Sequence, residues 1–590
     1  MVRSLLPRLA SLALIANVSH ALPADARADD AAIRRALALV PDDAISFIAV
    51  PSLKSASDDL AQLVEATGQG GLLSMGRPID LLKAQLGVGA NLDEQGPLAV
   101  YYREAADPAA MRRLPVAVVP VTDTAVFLSA NLTPAPEKGE GAFTTADGTV
   151  FFARALGAAP SSFVALAPTA AELPAALPER GIAERFIARL QPAEAPWLAR
   201  ADLVAWGSRS ALQAAVREAR AQPIEAPAGF PGLDAQQEAM RQRSLGVAEM
   251  LAEGVVAVDI DPLGIFVASL GVAEPGTPLA AVMAGGEGRS ASFDRLPANP
   301  FYLAVAADID GLGGAARFGE LMDLVGLPRT TLPAWVFEEG ADIRSIQLGA
   351  YPSKLGVAIG GAFNDSALYI GSRDPARTLA RVRQSIESLA GESDGLRREP
   401  SWNPEKKLKS GEQVIAFEVK ETVVDAAKRP PLDYERLAKQ FTFGSRGLNG
   451  LVKQREDGLV VTFSQRPDVY GRAVEAAAGA KGLATDDTVR SIEEWLPAQR
   501  DVEVMVGVGP LVGLVGQIAS SFVSEEQVRS MLPAVDRDAA PVAIAAEIGA
   551  GRAAVVTVIP AEVLKIAAAA GARRDAAAPA STPSAPGARP

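Results

Sequence analysis

The chain has 590 residues, no cysteine, a single histidine (His20) and a formal net charge of −13. The acidic balance disfavours a general phosphate-backbone binder, which needs a basic footprint, and the lack of thiols excludes disulfide staples, so burial of the 49% hydrophobic residues must hold the fold. The length implies several domains or a repeat array.

Arg3 and Arg8 lead into the short apolar stretch Leu9 to Val18, followed by the small-x-small pattern Ser19-His20-Ala21. A signal peptide is therefore expected over residues 1–21, with Ala26-Arg27-Ala28 as an alternative end at 28. The apolar core is far shorter than the roughly twenty residues that span a bilayer, and no later stretch is long enough, so no membrane span is expected. The expected location is periplasmic or secreted. Cleavage would also remove His20, leaving a mature chain with neither imidazole nor thiol.

From there, five apolar strands are each followed by an amphipathic helix. They centre on Phe47-Ile48-Ala49-Val50, Leu203-Val204-Ala205, Tyr302-Leu303-Ala304-Val305, Val414-Ile415-Ala416-Phe417 and Val502 to Val506. Helical spacing puts Leu60, Leu63 and Val64 on one stripe, then Leu212, Ala215 and Val216, then Phe318, Leu321, Met322 and Val325, and finally Val512, Val515 and Phe522. Hairpins follow: Val150–Phe152 with Phe163–Leu166, then a turn at Asp261-Pro262-Leu263-Gly264, another between Gly356–Ala362 and Leu368–Ile370, and turns at Asp457-Gly458 and Gly549-Ala550-Gly551. Pro168, Pro278, Pro375, Pro467 and Pro560 stand where second helices open, and Thr277 and Asp374 read as N-caps, with a capping box from Thr169 to Glu172.

This pattern gives an α+β class: about five repeated β-α-β-β-α units forming largely antiparallel sheets covered by helices, after an N-terminal signal peptide. The units are placed at 40–180, 198–290, 296–390, 410–480 and 498–572, with a disordered Ala/Pro/Ser tail at 573–590. Asp234 to Glu253 reads as an inserted helix. Thr133–Gly148, Pro223–Gly232 and Gly391–Gly411 read as loops from their Pro, Gly and charge content. A second self-similarity links Val40-Pro41 before the first strand to Leu296-Pro297 before the third.

Two stretches carry a resemblance. Val40-Pro41-Asp42-Asp43-Ala44 with Phe47, Val50-Pro51 and Leu53 resembles the start of uncharacterised exported bacterial proteins carrying a domain of unknown function. Tyr351-Pro352-Ser353, Gly356, Gly360-Gly361, Asn364 and Leu368-Tyr369-Ile370 are similar to a second block in them. The resemblance implies export and architecture and carries over no catalytic residue.

Chemistry is bounded by elimination. Without a mature histidine or cysteine, Ser-His-Asp and Cys-His systems and His-ligated metal sites are excluded. Gly507-Val508-Gly509 follows a strand, but its sequel misses the dinucleotide spacing, so a tight strand-to-helix turn is expected. Carboxylates remain: Asp259 and Asp261, two apart on one strand, and Asp308 and Asp310 at a strand's exit are the weak candidates for a metal or an acid–base pair. Turn chemistry and a solvated face are the competing explanation for both pairs. The five tryptophans are scattered and read as buried anchors, and Lys406-Lys407 with Lys409 as a solvated basic run. No catalytic residue, cofactor or nucleic-acid partner is expected. The function expected is a non-catalytic exported scaffold binding a protein, an envelope component or a small ligand; a carboxylate-based hydrolase and an apolar-ligand carrier are the alternatives.

Overall fold

The computed structural model describes residues 30–577, apart from 87–88, 105–113, 145–148, 158–161, 192–193, 222–232, 287–289, 325–332, 339, 394, 429–433 and 494. The expected signal segment and the 223–232 loop lie outside the described residues.

Among the described residues, twenty-one strands join in a single sheet, and every pairing between them is antiparallel. The first ten are β1 (Ala44–Val50), β2 (Leu98–Arg103), β3 (Pro115–Val121), β4 (Thr133–Pro134), β5 (Ala142–Thr144), β6 (Val150–Leu156), β7 (Ser162–Ala167), β8 (Leu203–Ser208), β9 (Leu251–Asp261) and β10 (Gly264–Ala273). Next come β11 (Leu303–Asp308), β12 (Ile343–Ala350), β13 (Ala367–Ser372), β14 (Gly391–Ser393), β15 (Leu396–Lys407) and β16 (Gln413–Val423). The last are β17 (Asn449–Gln454), β18 (Gly458–Thr462), β19 (Val502–Val506), β20 (Val542–Gly549) and β21 (Arg552–Pro560).

Following the pairings outward from the middle exposes a duplication. The first half runs β4-β5-β6-β7-β3-β2-β1-β8-β9-β10 across the sheet. The second runs β14-β15-β16-β17-β18-β13-β12-β11-β19-β20-β21. Thus β11–β13 stand where β1–β3 do, β15–β18 where β4–β7 do and β19–β21 where β8–β10 do, with β14 as an addition. The halves meet through β10 and β21. The β9–β10 hairpin closes at Asp261 and Gly264 and the β20–β21 hairpin at Gly549 and Arg552, which makes Ala268 and Val556 counterparts. Those two residues lie opposite each other in the β10–β21 pairing, so the seam has two-fold register. One buried cluster continues across it, from Phe47 and Trp206 through Ala268 to Val556 and Met505.

Recurring ties anchor the duplication. Pro41 bridges Gly181 and Pro297 bridges Gly482, while the N–H of Ile182 donates to Val40 O at 2.8 Å and that of Leu483 to Leu296 O at 2.7 Å. Asp123, after β3, caps the helix Thr124–Asn131, and Asp374, after β13, caps Pro375–Glu387.

The strand pairing therefore groups the five expected units into two halves. Strands assigned to one unit hydrogen-bond across unit boundaries, as β13 does with β18 and β11 with β19. The hairpins at β6–β7, β9–β10, β17–β18 and β20–β21 form. The one expected over 356–370 does not: Val357–Gly360 is helical, bracketed by Gly356 and Gly361 at positive φ, and β13 pairs with β12 instead. A four-residue apolar run does not fix its own secondary structure.

Gly391–Gly411 is strand over most of its length, its alternation hidden by charge on an exposed hairpin. β16 runs on to Val423 as the partner of β15, so the fourth strand does not turn straight into a helix. The inserted helix ends at Glu249, because residues from Leu251 already belong to β9. β4 and β5 lie within the loop expected at 133–148. Thr277 caps as expected, whereas Thr169 makes no side-chain cap and opens only a short 3-10 turn. The Ala-rich helix Ala561–Ala577 enters the stretch expected as tail, as alanine's helix propensity favours, and 578–590 lie outside the described residues.

Leu63, Val216 and Met322 bury their stripes, but Val515 and Phe522 are exposed. Their helix, Val508–Ala519, is apolar on nearly every face, so spacing does not select the buried one.

Candidate functional site

The halves place carboxylates at matching points beside the seam. Asp202 and Asp501 each stand one residue before their strands, β8 and β19. Asp202 Oδ2 accepts from the N–H of Ile260 at 2.8 Å, and Asp501 Oδ2 from that of Ile548 at 2.7 Å. Ile260 and Ile548 are the penultimate residues of β9 and β20, so a single tie has been kept twice. Two residues before the end of the same strands stand Asp259 and Glu547.

In the first half the pair is closed. Arg200 Nη2 donates to Asp259 Oδ2 at 2.7 Å, and the guanidinium lies 4.7 Å from the ring centre of Trp495, which belongs to the second half. Burial pushes Asp202 up to about 7, with the Ile260 N–H opposing and nearby carboxylates, among them Asp59, Asp259 and Asp261, adding to it. Asp259 is also raised by burial, partly offset by Arg200.

In the second half the cation points elsewhere. Arg500 stands one residue before its aspartate, where Arg200 stands two before. Arg500 Nε donates to Glu503 Oε2 at 2.8 Å, Nη1 to Pro497 O at 3.1 Å, and Nη2 lies 3.4 Å from Glu493 Oε1. Glu503 is fully buried on β19 opposite Ala545, the place that Val204 fills on β8 opposite Ala257. Burial pushes Glu503 up to about 8 against the attraction of Arg500.

Glu547 and Asp501 are left without an ion-pair partner among the described residues, and both line a cavity of about 240 Å³. Glu194 and Gln191 from the first half, with Arg500, Arg552, Gln499 and Ser290, also contribute to its polar wall. Arg552 Nη2 donates to Glu194 Oε2 at 3.0 Å. Burial raises Glu547, with the charge of Glu194 adding and Arg552 opposing; burial likewise raises Asp501, with the charge of Glu547 adding and the Ile548 N–H opposing.

The four residues expected from spacing part company. Asp259 joins Arg200, and Asp261 Oδ1 accepts from the Leu263 N–H at 2.8 Å, which is turn chemistry. Asp310 is ion-paired with Arg373, and Arg344 lies 3.6 Å away. Asp308 is 5% exposed, and its Oδ2 accepts no hydrogen bond from the described residues. A Cβ placed on Gly311 would lie 2.2 Å from Asp501 Oδ1 and 3.0 Å from Asp308 Oδ2, so these two carboxyls converge on one point. Burial raises Asp308, and the charges of Asp310 and Asp501 add to the shift. Among the described residues no group of three or more acids is arranged to hold a metal ion.

Sequence spacing missed Asp501, Glu547 and Glu194, whose partners are remote in the chain; the recurring Asp immediately before β8 and β19 was the available signal. Gly507 and Gly509 serve close packing, since a Cβ would lie 2.0 Å from Phe301 O and 2.1 Å from Asp536 O respectively.

A second cavity, of about 670 Å³, sits by β8 and contains Arg189, Trp206 and Glu253. Glu253 is engaged there from two sides, with Arg189 Nη1 2.5 Å and Trp206 Nε1 3.1 Å from its Oε2. No helix among the described residues is long and apolar enough to cross a membrane. No protein-family model, curated protein or solved structure matches this chain.

Proposed function

We propose that the chain is an exported, non-catalytic binding scaffold that takes a small ligand where its two halves meet. One observation carries the reading. Asp259, closed by Arg200 in the first half, has its counterpart in Glu547, which makes no ion pair among the described residues and lines, with Asp501, Arg500 and Arg552, a cavity built from both halves. Export rests on the charged, then apolar, then small-residue order of residues 1–21. The resemblance to exported bacterial proteins of unknown function agrees with it. Both cavities have arginines and carboxylates in their walls, which speaks against an apolar-ligand carrier.

The test is a pull-down of the mature protein from its own envelope fraction, with mass spectrometry of the retained small molecules and proteins. A small molecule retained by the wild type and lost in Glu547→Gln supports the scaffold. Retention unaffected by Glu547→Gln and Asp501→Asn contradicts a seam site.

Carboxylate-only hydrolysis is the second reading, favoured by the convergence of Asp308 and Asp501 on Gly311, both held above the usual range by burial. Turnover of a chromogenic glycoside or ester panel that disappears in Asp501→Asn would establish it in place of simple binding.

A further inference from the structure

We propose that a second copy of this chain docks, about a two-fold axis, on an apolar face that the second half leaves bare. The face shares no residue with the seam cavity, so the inference is independent of what that cavity binds.

The first ground is the duplication itself. Counted from Asp202 and Asp501, the helix Arg209–Ala221 matches Val508–Ala519 position for position, so Leu212 and Val216 stand where Leu511 and Val515 do. In the first half a helix of 17 residues, Leu233–Glu249, lies along Arg209–Ala221. Arg220 Nη2 donates to Glu249 Oε2 at 2.9 Å, and Arg241 Nη1 to Ala219 O at 2.6 Å. Val216 is 3% exposed there. The second half follows Val508–Ala519 with a helix of only 7 residues, Glu525–Met531. Its Val528 lies against Gly516, on a different side of the helix from Val515. Val515 is left 46% exposed, and Leu511 is exposed with it.

The second ground is that this stripe belongs to a larger, rigid platform. Phe522, 67% exposed, lies 6.0 Å from Phe441 between ring centres. The Phe363 N–H donates to Thr442 O at 2.8 Å, and the Val357 N–H to Gln517 Oε1 at 3.0 Å. These ties hold the exposed Leu355, Ile359 and Phe363 beside Leu511, Val515 and Phe522. Gly361 and Gly444, both at positive φ, interlock beneath: a Cβ on Gly361 would lie 2.3 Å from Gly444 N, and one on Gly444 2.3 Å from Ile359 O. A closely packed backbone thus presents large apolar side chains outward, which folding alone does not require.

The third ground is area and charge. Six side chains of this size at these exposures present on the order of 600 Å² of apolar surface, the upper end for the largest patch of a monomer and approaching the about 800 Å² that each partner of a standard interface buries. The rim suits a copy of the same chain. On the Ile359 side stands Arg446, next to Ser445, whose N–H meets Ile359 O at 3.1 Å. On the Phe522 side stands Glu526. Both are exposed and form no ion pair among the described residues. In an isologous contact each copy's Arg446 side turns to the other's Glu526 side. The second copy's Val508–Ala519 then supplies the layer that Leu233–Glu249 supplies in the first half. An anionic lipid surface fits less well, since the chain carries a net charge of −13 and Glu525 and Glu526 follow Phe522 closely.

The experiment is sedimentation velocity of the full chain over a range up to about 50 μM, where a monomer–dimer equilibrium with Kd at or below about 10 μM is expected. Val515→Asp and, separately, Phe522→Ser should raise Kd at least about tenfold, with circular dichroism and melting unchanged because both side chains are exposed. Leu263→Ser, an exposed apolar position on the β9–β10 turn, should leave Kd within about twofold. Arg446→Glu and Glu526→Arg should each weaken the dimer, and the two together should restore it. A monomer at every concentration, or a dimer indifferent to both Val515→Asp and Phe522→Ser, would overturn the proposal. A double charge swap that fails to restore association would overturn the two-fold arrangement. Flotation of a monomeric chain with phosphatidylglycerol vesicles, lost in Val515→Asp, would assign the face to lipid and overturn the second copy as its occupant.

Discussion

Glu503 replaces a buried valine of the duplicated half with a carboxyl, and one of its oxygens, Oε1, has no hydrogen-bond partner among the described residues. Because burial raises it from an ordinary value near 4.5 to about 8, the folded chain holds a proton that the unfolded chain releases between those values. Its contribution to stability is therefore complete below about pH 4.5 and is lost as the pH rises through about 8. Glu503→Gln should flatten the fall in stability over that window by one proton's worth and leave the variant more stable than the wild type at alkaline pH, as denaturant unfolding at several pH values would read. Asp202, raised from 3.8 to about 7, leaves a smaller slope behind. An unchanged slope in Glu503→Gln would mean the group titrates normally. At Gly311, Ala would force a methyl against Asp501 and Asp308. Gly311→Ala should cost about 1–3 kcal/mol in a thermal or denaturant melt, the usual range for overpacking; a neutral result would separate the two carboxyls.

Among the elements, the two capped helices give a matched pair. Asp123 Oδ1 accepts from the Val126 N–H at 2.9 Å, and Asp374 Oδ1 from the Arg377 N–H at 3.0 Å. Asp123→Ala and Asp374→Ala should each cost about 1 kcal/mol, measured by denaturant unfolding, because each frees one helix-terminal N–H. A cost confined to one would show that the caps are not equivalent. Of these two only Asp374 was legible in the sequence, as Thr277 was, while Asp123 was not singled out; caps, turn glycines and short apolar runs act locally. Ala550 and Gly551 both sit at positive φ in the β20–β21 turn, as the residues around the glycines imply. The misses share one cause, that composition stood in for pattern. Charge on β15 hid a strand, and apolar residues all round Val508–Ala519 hid which face is covered. Its counterpart Arg209–Ala221 carries arginines and buries Val216, so amphipathicity made that helix readable.

At the scale of the whole molecule, duplication was only partly readable. The two halves share anchoring residues (Pro41 with Pro297, Asp123 with Asp374, Asp202 with Asp501) and little contiguous sequence. Strand order, which is non-local, had to reveal the rest. The same holds for the site. Asp308 and Asp259 were visible from their spacing along one strand, but their functional difference depends on Asp501, Arg200 and Glu503 arriving from elsewhere. What the molecule presents is one acid pair in two copies, with an arginine on Asp259 in the first and no ion pair on Glu547 among the described residues in the second. The most direct measurement is the unfolding free energy of Asp259→Ala and Glu547→Ala, side by side and without ligand. Asp259→Ala should cost about 1–3 kcal/mol, since it strands the half-buried Arg200. Glu547→Ala should be neutral or stabilising, since it removes a carboxyl that burial and Glu194 both disfavour as an anion. Equal destabilisation by the two would show that both copies are closed and would contradict the account.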